Sequence, residues 1–343
     1  MSEYRKIIDN AWIRENSLAK INDLDCTIFD CDGTLVDVNN SYNACIKHTA
    51  GFILERILGG KQWYDLVTDE LILKFRISGG FNNEIDTTYA SIIAAIAAKT
   101  EDVELARKFV LNVTTHADER GIVSVEQYLS EVGFVDIVNK IKGELKYPGL
   151  ANSSILSRAF DEFFYGKDLF VQMNRIEPIF NKSNGFIERD RVIISSQSIR
   201  EIANLYDGRI SIVSGRSRLA TEYTLKSMLQ NFKIDACVFI EDDEREVIKN
   251  KLNIQVSKPH PYALLKSMYA MNANSALCAG DSVEDMLMAH KASESARVKT
   301  LFCGVYGAVS DRELQRKVFA ERQADLILEN INSLPTVLTL AKE

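Results

Sequence analysis

Apolar positions along the chain change their spacing in blocks. From about residue 209 to the C-terminus, short apolar runs alternate with stretches of helical spacing. "RISIVSG" (Arg209–Gly215) is an apolar run ending in Gly, with a helical pattern after it through about Gln230. "DACVFIEDD" (Asp235–Asp243) reads as a strand. "KPHPYALLKSMYAMN" opens on two prolines, then sets Leu264, Leu265 and Met268 at helical spacing. "SALCAGDS" (Ser275–Ser282) reads as a strand followed by helix to about Ala292, and "VKTLFCGVYG" and "ADLILEN" as two more strand–helix units. Such alternation predicts parallel βαβ units and a doubly wound sheet. "DCTIFDCDG", near the N-terminus, reads as one more strand of that sheet.

Between about Val38 and Asp190 the spacing is helical instead: Tyr42–Leu58, Trp63–Phe75, Thr88–Ala98, Val103–Leu111, Val125–Val132, Val135–Leu145 and Leu156–Phe164. A helix over about Ser195–Tyr206 leads back to the alternating pattern. The N-terminal "MSEYRKIIDNAWIREN" puts Ile7, Ile8, Trp12 and Ile13 on one side and predicts a short amphipathic helix. The expected fold class is α/β: a doubly wound parallel-sheet core from residues 1–38 and 191–343, carrying an inserted, mainly helical domain at 39–190.

A chain of 343 residues accommodates two domains, and its 46% hydrophobic and 26% charged content is ordinary for a globular protein. A net charge of −7 argues against a nucleic-acid partner. No apolar run approaches the roughly 18 residues of a membrane span, and the N-terminus lacks the apolar core of a secretory signal. The six cysteines form no CxxC pair, so reduced thiols in the cytoplasm are expected. The four histidines show no HExxH spacing, which argues against a zinc hydrolase.

Ligands of an open parallel sheet bind at the carboxyl ends of its strands. The first strand delivers Asp30 and Asp32, the next Ser214-Gly215-Arg216. Lys258 opens the helix after the third, and Ala276–Ala279 leads to Gly280-Asp281-Ser282, with Asp285 one turn on. Crowded carboxylates repel unless a cation compensates. A hard divalent ion with oxygen ligands meets that need, and Mg²⁺ binds through a few carboxylates, water and substrate phosphate. Lysine supplies a point charge for phosphate oxygens. The set suits nucleophilic attack by one Asp on a phosphate, with a second carboxylate moving the proton. Taken singly, each motif has a plainer structural reading. A DxD pair is common in solvated loops, Ser214 and Ser282 suit helix N-caps, and Lys258 suits a surface. A calcium loop needs Glu at its twelfth position, where Ser41 stands. The plain readings do not account for all four motifs in order, each after an apolar strand.

"FDCDGTLVD", "SIVSG", "KPHP" and "GDSVED" resemble the four motifs of the haloacid dehalogenase (HAD) superfamily. The terminal "ADLILENINSLPTVL" is similar to the end of its phosphoglycolate-phosphatase-like members. The resemblance implies a HAD-like Rossmannoid core with a C1-type helical cap, and a Mg²⁺-dependent phosphatase of a small phosphorylated metabolite. It implies Asp30 as nucleophile, Asp32 as general acid/base, and Ser214 and Lys258 as holders of the phosphoryl group. Asp30, the Asp32 carbonyl and Asp281 would hold Mg²⁺, with Gly33, Thr34, Ser282 and Asp285 in support. Asp32 favours phosphate esters, because dehalogenases and phosphonatases of this fold lack an aspartate there. Cys31, between the two aspartates, points to the opposite face by strand alternation. The insertion is longer than the usual compact cap, and His260 stands where relatives often carry a carboxylate or a small polar residue.

Inside the insertion, "LKFRISGGFNNEIDTTYA" (Leu73–Ala90) interrupts two helical stretches. Lys74, Arg76, Asn82 and Asn83, with Gly79-Gly80 as a hinge, are expected to read the substrate beside Gly215 and Arg216; an ordinary inter-helix turn is the plainer alternative. A phosphomutase of the β-phosphoglucomutase type shares the first motif and is the alternative enzyme. A catalytically silent phosphate-binding protein would not need the full catalytic set. A receiver domain uses an aspartyl-phosphate too, but has neither DxDGT nor such an insertion.

Overall fold

The computed structural model describes residues 3–342 apart from Asn82, Ala296 and Ser310. The chain divides into two compact units, Met1–Val38 with Arg191–Glu343, and Asn39–Asp190.

The first unit is built on ten strands: β1 Tyr4–Ile8, β2 Ala11–Arg14, β3 Cys26–Phe29, β4 Val36–Asp37, β5 Arg191–Val192, β6 Ile210–Ser214, β7 Val238–Phe239, β8 Ser275–Gly280, β9 Lys299–Val305 and β10 Leu326–Leu328. Eight form one sheet in the order β1-β2-β10-β9-β8-β3-β6-β7. From β10 to β7 every pairing is parallel; only the β1–β2 and β2–β10 pairings are antiparallel. Strands of such a sheet are covered on both faces and carry near-continuous apolar runs. β3, β6 and β8 are buried along their whole length. Cys26, Ile28, Val213, Ala276 and Cys278 pack into one core cluster with Phe302, Phe319 and Ile327. Phe29 meets Phe232 edge-on, with ring centroids 6.0 Å apart. β3 lies between β8 and β6, so the residues just after it are flanked by the ends of both neighbours.

The N-terminal segment is a β-hairpin, not the expected amphipathic helix. Lys6 pairs with Trp12 and Ile8 with Ala11, across a turn in which Asn10 takes φ +57°. Ala11 and Ile13 are fully buried where β2 adds to β10. Apolar positions at 7, 8, 12 and 13 match helical spacing, but pairing with a sheet edge decides for strand. The strand expected across Asp235–Asp243 is also shorter. It stops at Phe239, and Ile240–Lys249 is helical. Glu241, Asp242 and Asp243 lie in the first turn, where carboxylates favour a helix N-terminus.

Among the described residues the second unit is mainly helical. Its main helices are Ala44–Leu58, Asp69–Ile77, Glu84–Ala97, Val103–Thr114, Ile122–Leu129, Val135–Leu145 and Ile155–Asn174. The helix expected over Trp63–Phe75 is broken: a 3₁₀ turn at Lys61–Asp65 precedes Asp69–Ile77, whose N-cap is Thr68, accepting from the Leu71 N–H. Glu162, on the last helix, is fully buried and accepts backbone N–H bonds from Ile179, Phe180 and Asn181, fixing the returning segment. Among the described residues no helix is long and apolar enough to cross a membrane.

One polar cluster in this unit titrates in an accessible range. Tyr147 donates to Asp86 and stacks on Tyr89 at 4.0 Å, while Glu126 nearby pairs with Lys142 at 2.8 Å. Burial, opposed by the Tyr147 hydrogen bond and reinforced by Glu126, pushes the Asp86 carboxyl up to about 6. The folded chain then holds this proton where the unfolded chain has released it. Stability from this group is present below about pH 4 and falls as pH rises to 6. Asp86→Asn keeps the acceptor and removes the charge. It is expected to raise unfolding stability at pH 7.5 by about 1–3 kcal/mol and to flatten the fall between pH 4 and 6. Urea melts across that range check this; a variant less stable at every pH contradicts it.

Candidate active site

The site begins with a tight loop. After β3, the Asp30 N–H donates to the Ala279 carbonyl of β8 at 2.8 Å, carrying the strand's register one residue further. The Cys31 carbonyl then accepts from the N–H groups of Thr34, Leu35 and Val36 at 3.3, 2.8 and 2.9 Å, and the Gly33 N–H returns to the Val36 carbonyl at 2.7 Å. Cys31 is fully buried, as is Thr34. Gly33 adopts φ +75°, and a Cβ there would lie 1.9 Å from Asp281 Oδ2. Glycine is thus required twice over, for conformation and for the close approach to a carboxylate from another strand.

Lys258 ties three segments together. It lies in the loop before the helix Tyr262–Ala270 rather than at the helix start. Its side chain is 1% exposed, and Nζ stands 2.6 Å from Asp30 Oδ1 and 2.6 Å from Asp285 Oδ1. Asp285 uses its other oxygen on Ser282, accepting from the N–H at 3.2 Å and from Oγ at 2.5 Å. The Asp285 N–H returns a bond to Ser282 Oγ at 3.1 Å. This reciprocal cap starts the helix Val283–Ser295 and locks Asp285 toward the lysine. His260 is also local: Nδ1 accepts from the Tyr262 N–H at 3.3 Å, at the start of its helix.

Carboxylate oxygens of Asp30, Asp281 and Asp285 lie within 4.8 Å of one another. Burial pushes the Asp30 carboxyl well above its ordinary value; Lys258 opposes this, and Asp285, Asp281 and Asp32 reinforce it. Burial works against the Lys258 ammonium, but Asp285 and Asp30 outweigh it and hold the lysine protonated, above its usual value. With Asp32 and Arg216 counted, four carboxylates face two cations, a deficit of two positive charges. An all-oxygen donor set with that deficit fits a hard divalent cation. Asp285 is engaged on both oxygens, while Asp30 meets Lys258 through Oδ1 alone, so Asp30 and Asp281 are the better placed ligands.

Ser214 ends β6, beside β3, and is fully buried. Its Oγ accepts from the Arg216 N–H at 3.2 Å, and the Gly215 carbonyl accepts from the Glu241 N–H. It is not a helix cap. Ser217 fills that place, accepting from the Ala220 N–H. Arg216 Nη1 stands 3.3 Å from Asp32 Oδ1.

The expected substrate-reading residues of the insertion belong to the other unit and have local partners. Lys74 pairs with Glu70 at 3.4 Å and Arg76 with Glu84 at 3.6 Å. Asn83 is the N-cap of the helix Glu84–Ala97, accepting from the N–H groups of Ile85 and Asp86. Asn82 lies outside the described residues. One site residue carries no motif in the sequence. Gln315, 3% exposed on the helix Arg312–Glu321, donates from Nε2 to the Asp281 carbonyl at 2.7 Å. It holds the loop that presents Asp281, and a lone Gln on an amphipathic helix gives no signal of this.

No protein-family model matches the chain, and no curated protein does. Solved structures do. A Northeast Structural Genomics Consortium target, ZR25, is similar with a TM-score of 0.58 at 15% identity, over 92% of this chain and 98% of that one. Phosphatase Tt82 from Thermococcus thioreducens is similar with a TM-score of 0.51 at 18% identity, over 85% of this chain and 98% of that one. At these identities the likeness establishes the fold. The chain shares the α/β fold of these two structures. The mostly parallel sheet is a Rossmannoid core and the unit 39–190 a helical insertion.

Gly33→Ala is expected to push the Asp281 carboxylate out of the triad. Gly208→Ala is the control, because Gly208 has the same φ of +75° with nothing within 4 Å of its would-be Cβ. Both lose roughly 1 kcal/mol or more to the backbone conformation. If added Mg²⁺ raises the melting temperature of the wild type, only Gly33→Ala should also lose that rise. An undiminished Mg²⁺ shift in Gly33→Ala contradicts the close packing described.

Proposed function

We propose that the protein is a Mg²⁺-dependent phosphatase that hydrolyses a small phosphorylated metabolite through an aspartyl-phosphate on Asp30. The observation that carries this reading is the buried ammonium of Lys258 held at 2.6 Å by both Asp30 and Asp285, beside Asp281. A structural salt bridge needs one carboxylate; this cluster has an excess of buried negative charge, which suits a cation, while Lys258 and Ser214 suit phosphoryl oxygens. The fold shared with Tt82, itself named a phosphatase, supports the same reading.

Asp30, as the carboxylate, attacks phosphorus while the bond to the leaving oxygen breaks, and Asp32 gives that oxygen a proton. Asp32 then takes a proton from water as the water attacks the phosphorus of the aspartyl-phosphate, releasing inorganic phosphate and restoring Asp30. Ser214 and Lys258 bind the phosphoryl oxygens. Asp30, Asp281 and the Asp32 carbonyl would hold Mg²⁺, which supplies positive charge to the phosphoryl group when bound. Asp285 and Ser282 keep Lys258 in place, and Gln315 keeps Asp281 in place. Six free, buried thiols fit a reducing cytoplasmic setting.

Two experiments test the reading. Phosphate release from an aryl phosphate should require Mg²⁺, stop in excess EDTA and return with added Mg²⁺; full activity in chelator sinks the metal assignment. Asp30→Asn should abolish turnover, and Asp32→Asn should lower it by about 10²–10⁴-fold. Near-normal turnover by pure Asp30→Asn rules out the covalent route. A screen of phosphorylated metabolites then identifies the leaving group.

A further inference from the structure

Arg216 is the second buried cation of the site. It follows the Ser-Gly end of β6, before the helix Arg218–Leu225 begins. Its side chain has no exposed surface, whereas the Asp32 side chain it faces keeps 20% of its own. Nη1 lies 3.3 Å from Asp32 Oδ1, and the residue's own N–H is tied to Ser214 Oγ at 3.2 Å. A guanidinium is costly to enclose unless it meets an opposite charge. Its planar fork also fixes a carboxylate's direction better than an ammonium does.

The two cations meet different carboxylates of the site. Lys258 takes Asp30 and Asp285, and Arg216 takes Asp32. We propose that Arg216 is a positioning residue that fixes the Asp32 carboxyl group where it exchanges protons with the leaving oxygen and with water. The inference rests on the phosphatase reading above and adds a division of labour to it. Attack on phosphorus depends on the Lys258 pair, and proton transfer on the Arg216 pair. Arg216 donates no proton and forms no bond to phosphorus. It acts through Asp32, and a misplacement of about 1 Å at such a group costs on the order of 10²-fold in rate.

Leaving groups separate the two duties. A dinitrophenolate departs without a proton, whereas an alkoxide needs one. The kcat/KM of wild type, Arg216→Met and Arg216→Lys is measured on dinitrophenyl phosphate and on a simple alkyl phosphate, each with and without Asp32→Asn. Arg216→Met is expected to lose about 10²-fold on the alkyl ester and at least tenfold less on the dinitrophenyl ester, and Arg216→Lys to recover part of the difference. In the Asp32→Asn background, Arg216→Met should add little further loss, because the residue it acts through is already disabled. Equal losses on both esters, or losses that multiply fully in the double variant, overturn the proposal. Where circular dichroism shows Arg216→Met unfolded, the same contrast and cycle are read from Arg216→Lys. A wild type that cleaves neither ester overturns the phosphatase reading itself, and that result is seen before any variant is compared.

Discussion

The site hangs on a single buried ammonium. Lys258 is almost without exposed surface and sits 2.6 Å from carboxylates that lie 228 and 27 residues away in the chain. Enclosing those charges costs several kcal/mol per ion unless they meet with good geometry, and removing one partner leaves the others uncompensated. The end of β3, the loop at Lys258 and the helix after β8 therefore have one favourable arrangement. The parallel sheet makes it reachable: β8 and β6 flank β3, so their ends converge on the residues just past Phe29.

Around that pair, smaller constraints remove the remaining freedom. Ser282 claims one oxygen of Asp285, so the other faces the lysine. Gly33 allows the loop after Asp32 to pass against Asp281. Gln315 fixes the backbone that carries Asp281, and Arg216 meets Asp32. Apart from the local Ser282–Asp285 cap, these contacts join different segments, which is how a site keeps its geometry without a substrate present. The excess of negative charge persists, and it is the physical reason to expect a cation there.

What could be read from the sequence follows from where the information lies. Strand-end chemistry was legible because an apolar run and the polar residues after it are contiguous: "TIFDCDG" and "ALCAGDS" announce both the strand and its charge. The division of the chain into alternating and helical blocks was legible for the same reason. The N-terminal hairpin was not, because Ile7, Ile8, Trp12 and Ile13 satisfy a helical period over so short a span. The signal passed over was Asp9-Asn10, a turn pair in which Asn tolerates positive φ. Gln315 and the Arg216–Asp32 pairing were illegible in a stronger sense. They are contacts between segments that no local pattern connects, and only the folded sheet order brings them together.

The central claim is that Asp30 becomes covalently phosphorylated. The direct measurement is an acid quench of the enzyme during turnover, borohydride reduction of any acyl phosphate, and peptide mass spectrometry. The account predicts homoserine in place of aspartate at position 30, absent without substrate and absent in Asp30→Asn. Reduction at another aspartate, or none at all in a preparation that is turning over, would contradict it.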